Sequence, residues 1–399
     1  MRQGWRWFGP NGGIPLDAVR QAGATDIVSA LHEVPIGQAW TSDQVRARKN
    51  LIENTPSGRT PLIWSVVESI PISDKIKREG RAASQDIAAW IASMEALAEN
   101  DIKVICYNFM PVVDWCRTDL DYEVSTGATA MYFDQNRFAA FDLHILQRKD
   151  AEKDYSEADR IAARSTFEAM SDDDINQLIA NIASALPGST TEPLTIPAFR
   201  EKLETYTHID ADQLRQNLIE FLEEVTPVAE KLGVRLTLHP DDPPRSLFGL
   251  PRIASNEADY AAIFDAVPSQ ANGMCFCSGS LGVNADNDLP AMAKRFASRI
   301  YFSHLRATTR LGDGRSFYEA AHLEGDVDMV ALLRVLVQED RKRDKGDKII
   351  FRSDHGHRML DDLDKKVTPG YPVIGRMRGL AELRGIITAL DPQALCTVK

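Results

Sequence analysis

Eight short runs of β-branched, aromatic and aliphatic residues recur along the chain with helix-period stretches between them. This alternation narrows the available folds more than any other feature. The runs cover residues 5–8, 27–32, 62–69, 104–109, 234–239, 274–277, 300–304 and 349–352. Parallel strands need a crossover of a dozen or more residues, which a helix usually supplies. Ile87, Ile91, Met94 and Ala98 share one helical face, as do Leu214, Leu218, Leu222 and Val225. The second stripe runs out at Gly233, a residue suited to a left-handed helix cap. Met329, Leu332, Leu333, Leu336 and Val337 predict a helix before the eighth strand, and residues 376–390 predict the last. Strand-then-helix order implies an α/β protein, and eight such strands close a TIM (β/α)8 barrel.

One interval breaks the rhythm. More than 100 residues separate Thr118 from Val234, with helical segments but no convincing strand. A single crossover needs far fewer. The expectation is a single barrel domain over 1–399 carrying a mostly helical insertion after strand four, at 119–205, that packs over the barrel mouth or serves as an oligomer contact. Asp172-Asp173-Asp174 reads as a solvated helix start, with Ser171 as its cap.

Charge and cysteine content exclude several classes. The 58 acidic residues exceed the 46 basic ones, for a net charge of −12, the wrong sign for a nucleic-acid binder. No apolar run approaches the roughly 20 residues needed to cross a bilayer, and the first residues do not read as a signal peptide, so the expected location is cytoplasmic. Five cysteines cannot all pair and fit reduced thiols. No Walker loop or Gly-x-Gly-x-x-Gly fingerprint follows a strand, so no nucleotide cofactor is indicated.

Barrel enzymes place their chemistry at the carboxyl ends of the strands. The fifth to eighth strands end at His239, Cys277, His304 and Asp354, separated by 38, 27 and 50 residues. Four ligand-type side chains at four successive strand ends point to a metal site. Two imidazoles, a thiolate and a carboxylate suit Zn²⁺, Fe²⁺ or Mn²⁺, with positions left for a substrate. Cys277 adjoins the polar Ser278-Gly279-Ser280 turn and is the better ligand, whereas Cys275 reads as core. Cys106, Cys116 and Cys396 have no evident partner and read as structural.

An acid and a base are also needed. His355 follows Asp354 directly, His357 turns away or orients a neighbour, and Tyr371 lies on a Gly-Pro loop as either a catalytic phenol or a packing aromatic. A tyrosine acting as base would need the metal or Arg306 nearby to lower its pKa. Arg306 is a candidate carboxylate clamp. Arg310 and Arg315 read as solvated, and His322 is open between ligand, substrate contact and cap. In the first half, Glu68, Asn108 and the Trp5-Arg6-Trp7 segment offer polar groups for substrate hydroxyls.

Several segments together resemble one family. Trp5-Arg6-Trp7-Phe8-Gly9-Pro10, Cys106-Tyr107-Asn108-Phe109-Met110-Pro111, His239-Pro240-Asp241-Asp242-Pro243-Pro244, Phe302-Ser303-His304-Leu305-Arg306, His322-Leu323-Glu324-Gly325-Asp326-Val327-Asp328 and Asp354-His355-Gly356-His357 are similar to bacterial mannonate dehydratases of hexuronate (glucuronate) catabolism. The similarity spans essentially the whole chain. It implies a xylose-isomerase-like barrel and dehydration of D-mannonate to 2-keto-3-deoxy-D-gluconate with Mn²⁺ or Fe²⁺. By that resemblance His239, Cys277, His304 and Asp354 fall on metal ligands. His355 and Tyr371 fall on the acid and base, with the two roles unassigned. Arg306, Asn108 and His322 are the candidate substrate contacts. The doubled thiol Cys275-Phe276-Cys277 departs from the family pattern of one cysteine, and the Ser-Gly register selects Cys277. The expected partner is a small sugar acid, with a homodimer or higher homo-oligomer as the assembly. A divalent-metal sugar isomerase on the same barrel is the alternative.

Overall fold

The computed structural model describes residues 1–183 and 195–395. Eight parallel strands close a barrel in the order β1-β12-β9-β8-β7-β4-β3-β2. They are β1 (Arg2–Arg6), β2 (Asp26–Ser29), β3 (Ile63–Glu68), β4 (Val104–Tyr107), β7 (Arg235–Leu238), β8 (Asn272–Cys277), β9 (Ile300–His304) and β12 (Ile350–Arg352). Each overlaps one of the eight runs, though β1 begins three residues before its run and shares only Trp5 and Arg6 with it. Cys106, Cys275, Phe302, Val28, Val66 and Ile350 form one buried apolar cluster, with neighbouring strands contributing side chains to the filled barrel interior.

The outer helices form where the stripes predict them. Ala211–Leu232 buries Leu214, Leu218, Leu222 and Val225. At its start the Asp210 carboxylate accepts from the Gln213 N–H at 2.8 Å, and it stops at Gly233, whose φ of 68° is left-handed. Ser84–Glu99, Met329–Arg341 and Val373–Leu390 supply three further crossover or closing helices.

The segment read as a mostly helical insertion contains two strands, β5 (Asp119–Glu123) and β6 (Thr129–Phe133). They join β10 (Ala307–Arg310) and β11 (Phe317–Ala320), from the loop after β9, in a four-stranded sheet of order β10-β11-β6-β5. All its pairings are antiparallel. The strands escape a reading based on apolar runs because β5 is Asp-Leu-Asp-Tyr-Glu, a sheet-edge strand whose alternate residues face water. Helices Gln135–Ala140, Glu157–Glu168, Asp172–Ala183 and Ile196–Glu204 accompany the sheet. Phe133, Phe138, Phe141, Phe199, Phe248 and Phe317 form a second core with them. Ser171 caps as expected, accepting from the Asp174 N–H at 3.2 Å. Arg315, read as solvated, pairs with Asp159 and ties the β10–β11 loop to the insertion. Cys396 lies outside the described residues.

Candidate metal centre and active site

The four predicted ligands converge at the carboxyl end of the barrel because β7, β8, β9 and β12 are neighbours there in register. Cys277 lies opposite His304, and Arg352 opposite His304 on the other side. His239, just past β7, has Nδ1 2.7 Å from the Pro240 carbonyl oxygen. That acceptor takes the Nδ1 proton and leaves Nε2 as the free lone pair. Nε2 is 3.1 Å from His304 Nδ1. The Cys277 sulfur accepts from the Ser280 N–H at 3.4 Å, and the Ser280 hydroxyl lies 3.1 Å from it and 3.0 Å from Asp242 Oδ2. The ligand atoms of His239, Cys277 and His304 all lie within 4.8 Å of one another.

Asp354 sits at the margin of this trio. Its carboxylate is 3.8 Å from the Cys277 sulfur and 3.7 Å from His304 Nδ1. Arg352 Nη1, at 2.6 Å, and Arg306 Nε, at 3.2 Å, hold it there. Burial alone would raise its pKa, but His355, Arg352, His304 and Arg306 outweigh burial and hold the carboxyl well below its usual range. Nitrogen, thiolate and carboxylate donors in one buried cluster fit a borderline transition-metal dication better than a hard oxygen-seeking ion. On the far side of His304, Nε2 is 3.5 Å from Glu68 Oε2. The Glu68 carboxylate is itself held by Arg6 at 2.8 Å and Arg352 at 2.9 Å. Burial would raise the Glu68 pKa, but Arg352, Arg6 and His304 hold the carboxyl well below its usual range, so an anion stands beside His304 Nε2 while Nδ1 faces the cluster.

His355 and Tyr371 meet edge to face, ring centroids 4.9 Å apart, and Phe8 packs edge-on to Tyr371 at 4.8 Å. Both residues are buried. Arg306 reaches His355 Nδ1 at 2.9 Å, on the imidazole that packs against the phenol. The guanidinium groups of Arg352 and Arg376 lie over the phenol ring, 5.9 and 5.2 Å from the ring centre. Burial dominates and pushes the phenol pKa up in spite of Arg352 and Arg6. Tyr371 therefore keeps its proton at neutral pH.

The remaining predicted contacts are placed as follows. Arg306 faces inward, with Nη2 2.7 Å from Asp242, Nη1 2.5 Å from Glu319 and Nε 3.2 Å from Asp354. Three carboxylates engage its fork in the described structure. His322 is buried, its Nε2 2.6 Å from the Ser353 carbonyl oxygen, so it braces the turn before Asp354. Asn108 Nδ2 lies 3.5 Å from Asp114. His357 orients a neighbour, Nε2 being 2.8 Å from the Glu319 carbonyl oxygen. Cys275 is buried beside Cys106, and burial raises its thiol pKa. Cys116 is likewise pushed up to about 12 by burial, so both are poor thiolates.

Three groups beside the site escaped the sequence reading. Glu319 lies on β11, Arg117 precedes β5, and Asp242 was seen only as part of a motif. Arg117 bridges the other two, 2.8 Å from Asp242 and 2.9 Å from Glu319. The one available signal was Asp241-Asp242 before Pro243-Pro244 at a barrel strand end.

Known proteins resemble the chain in sequence and in fold. A family model described as D-mannonate dehydratase (UxuA) matches residues 1–396. The mannonate dehydratase of Brucella canis is 82% identical over 395 residues, covering 99% of this chain and 98% of that protein. The crystal structure of mannonate dehydratase from Streptococcus suis superposes with a TM-score of 0.76 at 29% identity, over 99% of this chain and 94% of that one. A xylose isomerase-like TIM barrel protein from Mycobacterium smegmatis shares the fold, with a TM-score of 0.51 at 11% identity over 98% of this chain and 97% of that one. A closed eight-strand barrel, a His-His-Cys cluster at its carboxyl end and a full-length family match lead to one conclusion: the chain belongs to the D-mannonate dehydratase family.

Proposed function

We propose that the carboxyl-end cluster carries the family's reaction here, loss of water from D-mannonate to give 2-keto-3-deoxy-D-gluconate. In this reading His239, Cys277, His304 and Asp354 hold Mn²⁺ or Fe²⁺. An ion bound there would supply Lewis acidity that acidifies the C2 proton of the sugar acid. His355 takes the C2 proton as base, and Tyr371 gives its proton to the departing C3 hydroxyl, which leaves as water. His355 then returns a proton to C3 of the enol while Tyr371 recovers one from the C2 hydroxyl. The keto product is formed and both side chains are restored.

The observation that carries this division of labour is the phenol of Tyr371, raised in pKa by its burial and packed against the imidazole of His355. A phenol that keeps its proton is in the form that can donate and has no base to offer, which leaves the base role to the histidine. Asn108 remains the candidate substrate contact, whereas Arg306 and His322 act through the groups they brace. No helix among the described residues is long and apolar enough to cross a membrane, consistent with a cytoplasmic enzyme.

The test is an anaerobic assay of D-mannonate beside D-altronate and D-gluconate, with each metal in turn. A keto-deoxy acid 18 mass units lighter than mannonate is expected, roughly one water. A mass-neutral product would point to an isomerase and overturn the reading.

A further inference from the structure

Glu319 stands outside the barrel, yet its carboxylate touches three of the site's charged groups, His355, Arg306 and Arg117. Its two oxygens lie 2.9 and 3.1 Å from His355 Nδ1. Arg306 Nη1 and Arg117 Nη2 donate to the same carboxylate at 2.5 and 2.9 Å. The other ring nitrogen of His355, Nε2, is 3.9 Å from Asp354 Oδ1, on the side of the metal-ligand cluster.

The tautomer of His355 decides whether it can act as a base. With the proton on Nδ1, Nε2 offers a lone pair toward the cluster. With the proton on Nε2, it offers none there. Arg306 Nη1 also comes within 2.9 Å of Nδ1 and would pair with a lone pair on that atom. Two observations favour the carboxylate. Both Glu319 oxygens flank Nδ1, and Arg306 Nη1 already donates to Glu319 Oε1. The carboxylate is fixed in turn by its strand: Glu319 pairs with Thr308 in the β10–β11 register, and His357 holds its carbonyl.

We propose that Glu319 is a positioning residue for the dehydration: it accepts the Nδ1 proton of His355 and thereby holds the Nε2 lone pair toward the reacting carbon. The inference rests on the reading of His355 as base. It also gives the small antiparallel sheet a task, since β11 carries this carboxylate to the barrel mouth.

The experiment compares kcat, KM and bound metal in the full-length, metal-loaded protein for wild type, Glu319→Gln, Glu319→Asp, His355→Ala and the Glu319→Gln/His355→Ala double variant. Removing an orienting carboxylate typically costs 10–100-fold or more. Glu319→Gln should lower kcat by about 100-fold, with KM within about threefold and metal content unchanged. Glu319→Asp keeps the charge that Arg117 and Arg306 need, so it guards against failure to fold, and its shorter reach should lower kcat about tenfold. In the His355→Ala background, removing Glu319 should change kcat less than about twofold, because the two act through one ring. A folded Gln or Asp variant with wild-type kcat would overturn the proposal and indicate that His355 pairs with Arg306 instead. A rise in KM alone, or equal losses in both backgrounds, would also overturn it. A His355→Ala variant with wild-type kcat would instead remove the reading of His355 as base.

Discussion

Single side chains at this site differ in what their loss should expose. His304 is tied to the cluster through Nδ1 and to Glu68 through Nε2, so His304→Ala should lose bound metal and activity together. Elemental analysis of the purified protein checks this, and full retention of metal would remove the residue from the ligand set. Tyr371 lies against His355 and has no hydrogen bond to any predicted ligand among the described contacts. Tyr371→Phe should therefore keep metal while kcat falls about 10²–10⁴-fold, the usual worth of a general acid; turnover near wild type would show the hydroxyl dispensable. These positions were legible in the chain because each lies at a strand end or in a loop with unusual chemistry. Glu319 was not, because nothing within Ser316-Phe317-Tyr318-Glu319-Ala320 distinguishes an inward carboxylate from a solvated one. Only its pairing with Thr308 sets which way it faces.

At the scale of elements, strands buried on both faces announced themselves and edge strands did not. A barrel strand such as Asn272–Cys277 is buried at every position and reads as a continuous apolar run. Asp119–Glu123 pairs on one side only and alternates charge with Leu120 and Tyr122, a pattern shared with turns and helix starts. The helices were legible through period and caps, and the Asp210 cap can be tested alone. Asp210→Ala leaves the Gln213 N–H without its acceptor and should cost about 1 kcal/mol in a urea titration. An unchanged midpoint would mean water replaces the cap without loss. The small sheet depends on packing instead. Phe133 is fully buried and stacks on Phe317 at 5.6 Å, interplanar angle 8°. Phe133→Ala should destabilise by about 3–5 kcal/mol and, by loosening β11, lower kcat as well. Loss of stability with kcat intact would separate the second core from the site.

For the whole molecule, the barrel mouth is a buried lattice of Arg6, Arg117, Arg306 and Arg352 against Glu68, Asp242, Glu319 and Asp354. The lattice links the acid stability of the fold to the site. Burial pushes the Glu319 pKa up, but Arg306, His355 and Arg117 more than reverse this, and the carboxyl falls from 4.5 to about 2. Asp242, Asp354 and Glu68 are shifted in the same direction by their arginine neighbours. A group with a depressed folded pKa binds fewer protons when folded than when unfolded. Its contribution is complete above the unfolded pKa and is lost as pH falls through the folded one. Asp142 and Asp241 are shifted upward by burial and act in the opposite sense, but Asp74, Asp159 and Asp313 outside the lattice are lowered and act with it. The urea midpoint of the protein should therefore fall as pH drops from about 4.5 toward 2. Glu319→Gln should flatten that slope, because its amide has no proton to take up. A wild-type midpoint that stays level across the window would show that the mouth lattice contributes nothing net to folding. The arginines would then serve only to hold the carboxylates in place for chemistry.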